Sequence, residues 1–280
     1  MTWRLSIRHR SGYRYRSEVT SSYNEARISP LTTPDQLVIS ATVEVSPHAH
    51  VLRYWDYWAT VVHAFDIHEP HTELVVEGRS LVQTERPPTD PPSVEWAALR
   101  DEALIDDFTE LLSPTAYVHA DDEIRDVAAD LASLTSPRDA VDGAIAWVAS
   151  TLRYEPGATG VHTSAVEARR GGRGVCQDYA HLTLAVLREA GIPARYASGY
   201  LYPSADGRIG DEVTGESHAW IEAWTGDWWG LDPTSGEPIG ERHVLVARGR
   251  DYADVPPLKG IYHGGPSESL GVTVALNRVA

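Results

Sequence analysis

Apolar and polar residues alternate strictly at the start of the chain. In "TWRLSIRHR" and "GYRYR" the apolar and aromatic residues occupy every second position and the residues between them are mostly arginine. A period of two marks a strand with one buried face. The same period runs through "QLVISATVEVSP" (Gln36 to Pro47) and places Leu37, Ile39, Ala41, Val43 and Val45 on one face. "VLRYWDYWATVVHAFDIHEP" (Val51 to Pro70) reads as two strands around a tight turn near Tyr57 to Thr60, and "TELVVEGRSLVQTE" (Thr72 to Glu85) as a further pair bent at Gly78. Short strands separated by turn signals predict an antiparallel β-sandwich over residues 1–86. "ERPPTDPPS" then interrupts both periods. Proline fixes φ and lacks an N–H, so residues 87–93 are expected to form a linker, with a second domain over 94–280.

Beyond the prolines the period lengthens. Trp96, Leu99, Ala103 and Leu104 predict a helix. In "DDEIRDVAADLASL" (Asp121 to Leu134) an aspartate caps a stripe of Ile124, Val127, Ala128 and Leu131. "SPRDAVDGAIAWVASTL" starts with Ser136 as N-cap and Pro137 at the first helical position. Leu182, Ala185, Val186 and Ala190 recur at helical spacing until Gly191-Ile192-Pro193 stops the run. The period then returns to two. In "ESHAWIEAW", Ala219, Ile221 and Ala223 alternate with Trp220, Glu222 and Trp224, and "DWWGLDPTSG" reads as a short strand closed by Pro233. Strands, then helices, then strands give an α+β layout.

Composition narrows the function. The chain has 280 residues, of which 42% are hydrophobic and 23% charged. This is a globular composition and, by length, about two domains. A net charge of −16 argues against nucleic acid or an anionic membrane as partner. "MTWRLSIRHRSGYRYR" has no apolar core like that of a secretory signal, and no apolar run reaches the length of a membrane helix. Cys176 is the only cysteine, so no internal disulfide forms, which fits a reducing cytoplasm. Lys259 is the only lysine. An enzyme that modifies lysine amines would gain by lacking self-substrates, but an arginine-biased genome accounts for the same fact and is the preferred explanation.

The candidate chemistry centres on Cys176. Gly171, Gly172 and Gly174 lead into it and the periodic apolar segment follows it. Cys176 is therefore expected in the first turn of a buried helix, where unpaired N–H groups and the helix dipole favour the nucleophilic thiolate. His218 at the start of its strand and Asp232 at the end of the next follow in chain order. A thiol that attacks an acyl carbon, an imidazole that takes and returns its proton, and a carboxylate that orients the imidazole form a complete nucleophilic triad. Trp220, Trp224, Trp228 and Trp229 crowd the same strands, and the outward ones are expected to wall a groove. The run "RRGGRG" lacks the Gly-Lys-Ser/Thr ending of a phosphate-binding loop, so its glycines are assigned to close backbone approach to the substrate. His48 and His50, and His63, His68 and His71, form local groups. Without a second cysteine or a metalloprotease spacing they are read as structural or solvated, and no metal is expected.

"GVCQDYAHL", "GIPARYASGYL", "SHAWIEAW" and "WWGLDPT", in that order, resemble the bacterial transglutaminase-like cysteine enzymes of the papain-like superfamily. "EARISP", "LRYEPGAT" and "GRDYADVPPLKGIYHGG" extend the resemblance over nearly the whole chain. It implies an N-terminal β-domain followed by a papain/transglutaminase-like core, with Cys176, His218 and Asp232 catalytic. It also implies an upstream side chain near the thiol. Tyr154 is the expected second donor to the oxyanion after the Cys176 N–H, and Gln177 is the runner-up. The mechanism requires no cofactor. The expected activity is cleavage of a peptide or amide bond in a peptide or protein substrate. The alternatives are transfer of the acyl group to an amine, and a non-catalytic binding or scaffolding module. Oligomeric state stays open.

Overall fold

The computed structural model describes residues 2–87 and 93–280. Six strands fill the first segment: β1 (Thr2–Val19), β2 (Ser21–Ala26), β3 (Gln36–Ser46), β4 (Leu52–Trp55), β5 (Val61–Ile67) and β6 (His71–Glu85). Alternation decides their faces. Along β1, Trp3, Leu5, Ile7 and His9 are buried while Arg4, Arg8 and Arg10 face solvent. Two expected details differ. β6 is one strand of 15 residues, not a pair bent at Gly78. The glycine is a close approach, since a Cβ there would come 2.9 Å from Ile28 Cδ1. β3 carries a bulge between Val38 and Ser40. An inserted residue exchanges the faces of a strand, so Leu37 and Ile39 are 52% and 44% exposed while Ala41, Val43 and Val45 are half-buried. Residues 88–92 of the expected proline linker lie outside the described residues.

The single helix expected from Trp96 to Leu104 is two short ones, α1 (Trp96–Leu99) and α2 (Glu102–Asp107), and α3 (Thr109–Leu112) follows them. Asp101 divides the first two by accepting from Ala103 N and Leu104 N, a local bond that competes with helix continuation. α4 (Asp122–Ala132) and α5 (Pro137–Thr151) start at Asp121 and Ser136 as their sequences predict. After β7 (Arg153–Tyr154) comes α6 (Ala165–Gly171), which the apolar period did not reveal. Its signal is a reciprocal cap: Ser164 and Glu167 satisfy each other's backbone N–H groups. β8 (Arg173–Gly174) pairs in parallel with β7 and leads into α7 (Cys176–Glu189). Every residue from Gln177 to Arg188 is buried, so α7 is the central helix.

The remaining strands are β9 (Ala194–Leu201), β10 (Glu212–Trp224), β11 (Trp228–Asp232), β12 (Glu237–Pro238), β13 (His243–Gly249), β14 (Leu258–His263) and β15 (Ser267–Arg278). One sheet runs β12-β11-β10-β15-β1-β6-β3, with β9 joining β10 to β13, and a second runs β14-β2-β5-β4. Every strand pair in both is antiparallel. Tyr15, Leu74 and Val76 of the large sheet meet Ala26, Phe65 and Ile67 of the small one in a buried cluster, which makes the sandwich. On the helical side α7 lies against β10, α4, α5 and α6. The fold is α+β. β15 pairs with β1 on one edge and with β10 on the other, so the last strand joins the opening of the chain to the strand that carries His218.

Candidate active site

The turn before Cys176 sets its position. α6 ends on Gly172, whose φ of 63° is the left-handed conformation that closes a helix. Gly174 then brings the backbone against Asp178, where a Cβ would lie 2.7 Å from Asp178 Oδ2. That oxygen accepts from Val175 N at 2.7 Å and from Thr159 Oγ1 at 2.6 Å. The glycine run thus ends one helix and lets the next begin. It is spent on these structural contacts, contrary to the expected approach to substrate. Cys176 is the first residue of α7 and half-buried. Its N–H has no intrahelical acceptor, and the positive end of the helix dipole lies at its side chain. Asp178 and His181 anchor the helix: His181 is fully buried, and its Nε2 accepts from Tyr252 N at 3.2 Å.

The sheet supplies the other two members. β10 places His218 opposite Gly199, and pairing of Ile221 with Leu231 brings β11 alongside. His218 Nε2 donates to Asp232 Oδ2 at 2.9 Å. The second ring nitrogen is left for Cys176, which lines the same groove as the imidazole. Burial opposes charge on His218, but the bond to Asp232 and the nearby Cys176 outweigh it and push the imidazole up to about 10. Burial also opposes charge on Asp232. Hydrogen bonding to His218 and the nearby His243 imidazole outweigh it and hold the carboxyl well below the usual range. Asp232 Oδ1 accepts from Thr234 N at 2.9 Å, which fixes the plane of the carboxylate. These shifts favour a protonated His218 and an ionised Asp232 at neutral pH.

His243, at the start of β13, was not anticipated. Its Nε2 lies 3.6 Å from Asp232 Oδ2. His218, Asp232 and His243 offer ligand atoms within 4.8 Å of one another, which makes them the set that could hold a metal among the described residues. The protonated His218 ring and its hydrogen bond to Asp232 oppose that use. The histidines singled out in sequence do not converge: His48 and His50 are exposed, His63 bonds Ser29 at 2.8 Å, His68 bonds Asp66 at 2.6 Å, and His71 bonds the Glu69 carbonyl at 2.8 Å.

A groove of about 720 Å³ opens over Cys176 and His218. Tyr154 lines it and is 43% exposed. Gln177 lines it too, with Nε2 donating to the Val161 carbonyl at 3.1 Å. Tyr196, absent from the sequence-based candidates, borders the same groove at 2% exposure. Tyr13 of β1 and Val272 of β15 form a further wall, so the N-terminal strands reach the site. The expected tryptophan wall is not there. Trp220 packs on His243 at 5.5 Å, Trp224 on Phe108 at 5.3 Å, Trp228 under Arg195 at 3.8 Å and Trp229 under Arg138 at 4.9 Å. These rings brace the sheet, and the aromatic residues that line the groove are tyrosines.

The model for the Transglutaminase-like superfamily matches residues 125–233, and the model for the Bacterial transglutaminase-like N-terminal region matches residues 5–83. An uncharacterized protein of Mycobacterium leprae is 49% identical over 278 residues, 99% of this chain and 100% of that protein. A "Protein-glutamine gamma-glutamyltransferase" of Pseudomonas aeruginosa is 29% identical over 194 residues, 61% of this chain and 28% of that protein. Among solved structures, a "Putative Cysteine Protease from Cytophaga hutchinsonii" superposes with a TM-score of 0.79 at 22% identity, covering 100% of this chain and 92% of that one. That last likeness is one of fold.

Proposed function

The chain belongs to the transglutaminase-like superfamily, and from that premise we propose that it is a cysteine acyl-transfer enzyme that cleaves a peptide or amide bond through a thioester on Cys176. The observation that carries this reading is that Cys176, at the start of α7, shares one groove with His218, whose Nε2 is bonded to Asp232 at 2.9 Å. The Cys176 sulfur attacks the carbonyl carbon, and the C=O π pair moves onto oxygen. The Cys176 N–H is one donor to that oxyanion, and the hydroxyls of Tyr154 and Tyr196 are the candidates for a second, since both line the groove. As the tetrahedral adduct collapses, the C–N bond breaks and His218 gives its proton to the departing amine. Water then attacks the thioester, His218 takes a proton from it, and the C–S bond breaks to release the acid and the free thiol. Asp232 stays ionised throughout and steadies the imidazolium.

Water is the preferred acceptor because Cys176 is half-buried beside an open wall in which Tyr154 is 43% exposed. Similarity to the glutamyltransferase supports the second reading, in which an amine takes the acyl group. The test is intact-mass analysis of the protein mixed with a panel of peptide amides, with and without a primary amine. An acyl adduct on Cys176 that decays to free acid supports hydrolysis, and an amide product supports transfer. Cys176→Ala should abolish turnover and retain peptide binding. A panel that leaves no adduct, with partner binding unaffected by Cys176→Ala, would favour the scaffolding module.

A further inference from the structure

We propose that His243 is a positioning residue for the catalytic pair, holding the Asp232 carboxylate from a second side so that one carboxylate serves two imidazoles. The inference rests on the acyl-transfer reading of the site.

His243 is 8% exposed and opens β13. Its Nδ1 accepts from Gly240 N at 3.2 Å. An accepting Nδ1 leaves the proton of the neutral ring on Nε2. That Nε2–H is buried and has no hydrogen-bond partner among the described residues. Its nearest carboxylate oxygen is Asp232 Oδ2, at 3.6 Å. The distance is just beyond a hydrogen bond, and a shift of a few tenths of an ångström closes it. Such contacts are often long in free enzymes and shorten in the reacting complex. Trp220 stands edge-on to the ring at 5.5 Å and 75°, so the imidazole has little freedom to turn elsewhere. Thr234 N occupies Asp232 Oδ1, so the carboxylate has little freedom either.

The charged and titratable groups around His243 are Asp232 on β11, His218 on β10 and its own neighbour Arg242. Burial lowers the affinity of His243 for a second proton, which keeps it a neutral donor. A neutral donor on Oδ2 fixes the direction of that oxygen and takes up part of its charge. His218 is then held in line with Cys176, and it grips its proton less tightly than it would beside Asp232 alone. Sequence reading missed the residue because chain order does not say that β13 joins the same sheet beyond β9.

The test is the rate of iodoacetamide alkylation of Cys176 against pH, in the native protein and in His243→Phe, His243→Gln and His218→Ala. Phenylalanine fits an apolar site against Trp220 but has no N–H, whereas glutamine keeps an N–H donor. We expect His243→Phe to alkylate about tenfold more slowly at pH 7, the loss usual for a partner one hydrogen bond behind an orienting group. Its alkaline limb should move upward, and His243→Gln should restore most of both. A His243→Phe profile that matches the native one overturns the proposal. So does equal impairment in both variants, which would mean packing alone. If native alkylation does not depend on His218, the acyl-transfer reading itself fails. One measurement needs no variant: ¹⁵N-edited NMR of the native protein at pH 7 should find His243 as the Nε2–H tautomer, and the Nδ1–H tautomer overturns the proposal.

Discussion

At the scale of single residues, the position of the thiol depends on an atom that is absent. A Cβ on residue 174 would lie 2.6 Å from Asp178 Cβ, so Gly174→Ala must displace the carboxylate that ties Val175 N and Thr159 Oγ1 to the start of α7. We expect this variant to slow Cys176 alkylation about tenfold, since small misplacements of a nucleophile are costly. Gly171→Ala is the control: nothing lies within 4 Å of its added Cβ, so the rate should hold. Equal rates in both variants would show that Asp178 does not position the thiol. A second outcome concerns pH. The reactive pair needs a protonated His218, so its alkaline limb belongs near the raised value of about 10. A limb near 6.5 would mean that Asp232 and the nearby Cys176 do not hold the proton in solution. Cys176 and Asp232 were legible because each stands at the end or start of a periodic segment, whereas His218, expected at the start of its strand, lies in the middle of β10. Tyr196 and His243 were not legible, because each sits within a buried strand where an aromatic or histidine ring is an ordinary core residue, and only the fold brings it to the site.

At the scale of elements, sequence signals worked where caps and periods agreed. α5 begins at Ser136 because the serine accepts from Asp139 N and the Asp139 carboxylate accepts from Ser136 N. α6 has the same device at Ser164 and Glu167, yet it went unread because its seven residues give too short a stripe. Ser164→Ala is expected to cost about 1 kcal/mol in urea unfolding. It should also raise hydrogen exchange in α6, whose end delivers the chain to Cys176. A loss below a few tenths would mean the cap contributes nothing there. The strands show the opposite case. Period two located β3 and β6, but it could not reveal the bulge that turns Leu37 and Ile39 outward or the Ile28 contact that explains Gly78. Both are decided by the neighbouring chain, as are the tryptophans, whose expected groove became a set of braces beneath arginines and beside Phe108 and His243.

At the scale of the whole molecule, three buried histidines mark seams that acid should open. His9 on β1 meets Tyr200 on β9 at 3.1 Å, joining the first strand to the one that pairs with the His218 strand within the same sheet. His63 on β5 meets Ser29 at 2.8 Å, and His181 on α7 receives Tyr252 N at 3.2 Å. Burial pushes His9 down to about 4 and, with Arg53 adding to it, His63 down to about 4. Burial, with Arg188 nearby, pushes His181 down to about 3. In the unfolded chain each takes a proton near 6.5, whereas the folded protein refuses it until about 4 or below. The unfolded state therefore binds more protons across that window, and stability falls as pH drops from 6.5 toward 4. Each group contributes on the order of 1.4 kcal/mol per pH unit once it is well inside the window. Urea unfolding between pH 7 and 4.5 should thus show a steep loss above the range where most carboxylates titrate. His9→Gln and His63→Gln should each flatten the slope, whatever they do to stability at pH 7. Parallel slopes in the native protein and both variants would mean that these rings take up protons in the folded state, and that the seam between β1 and β9 admits water.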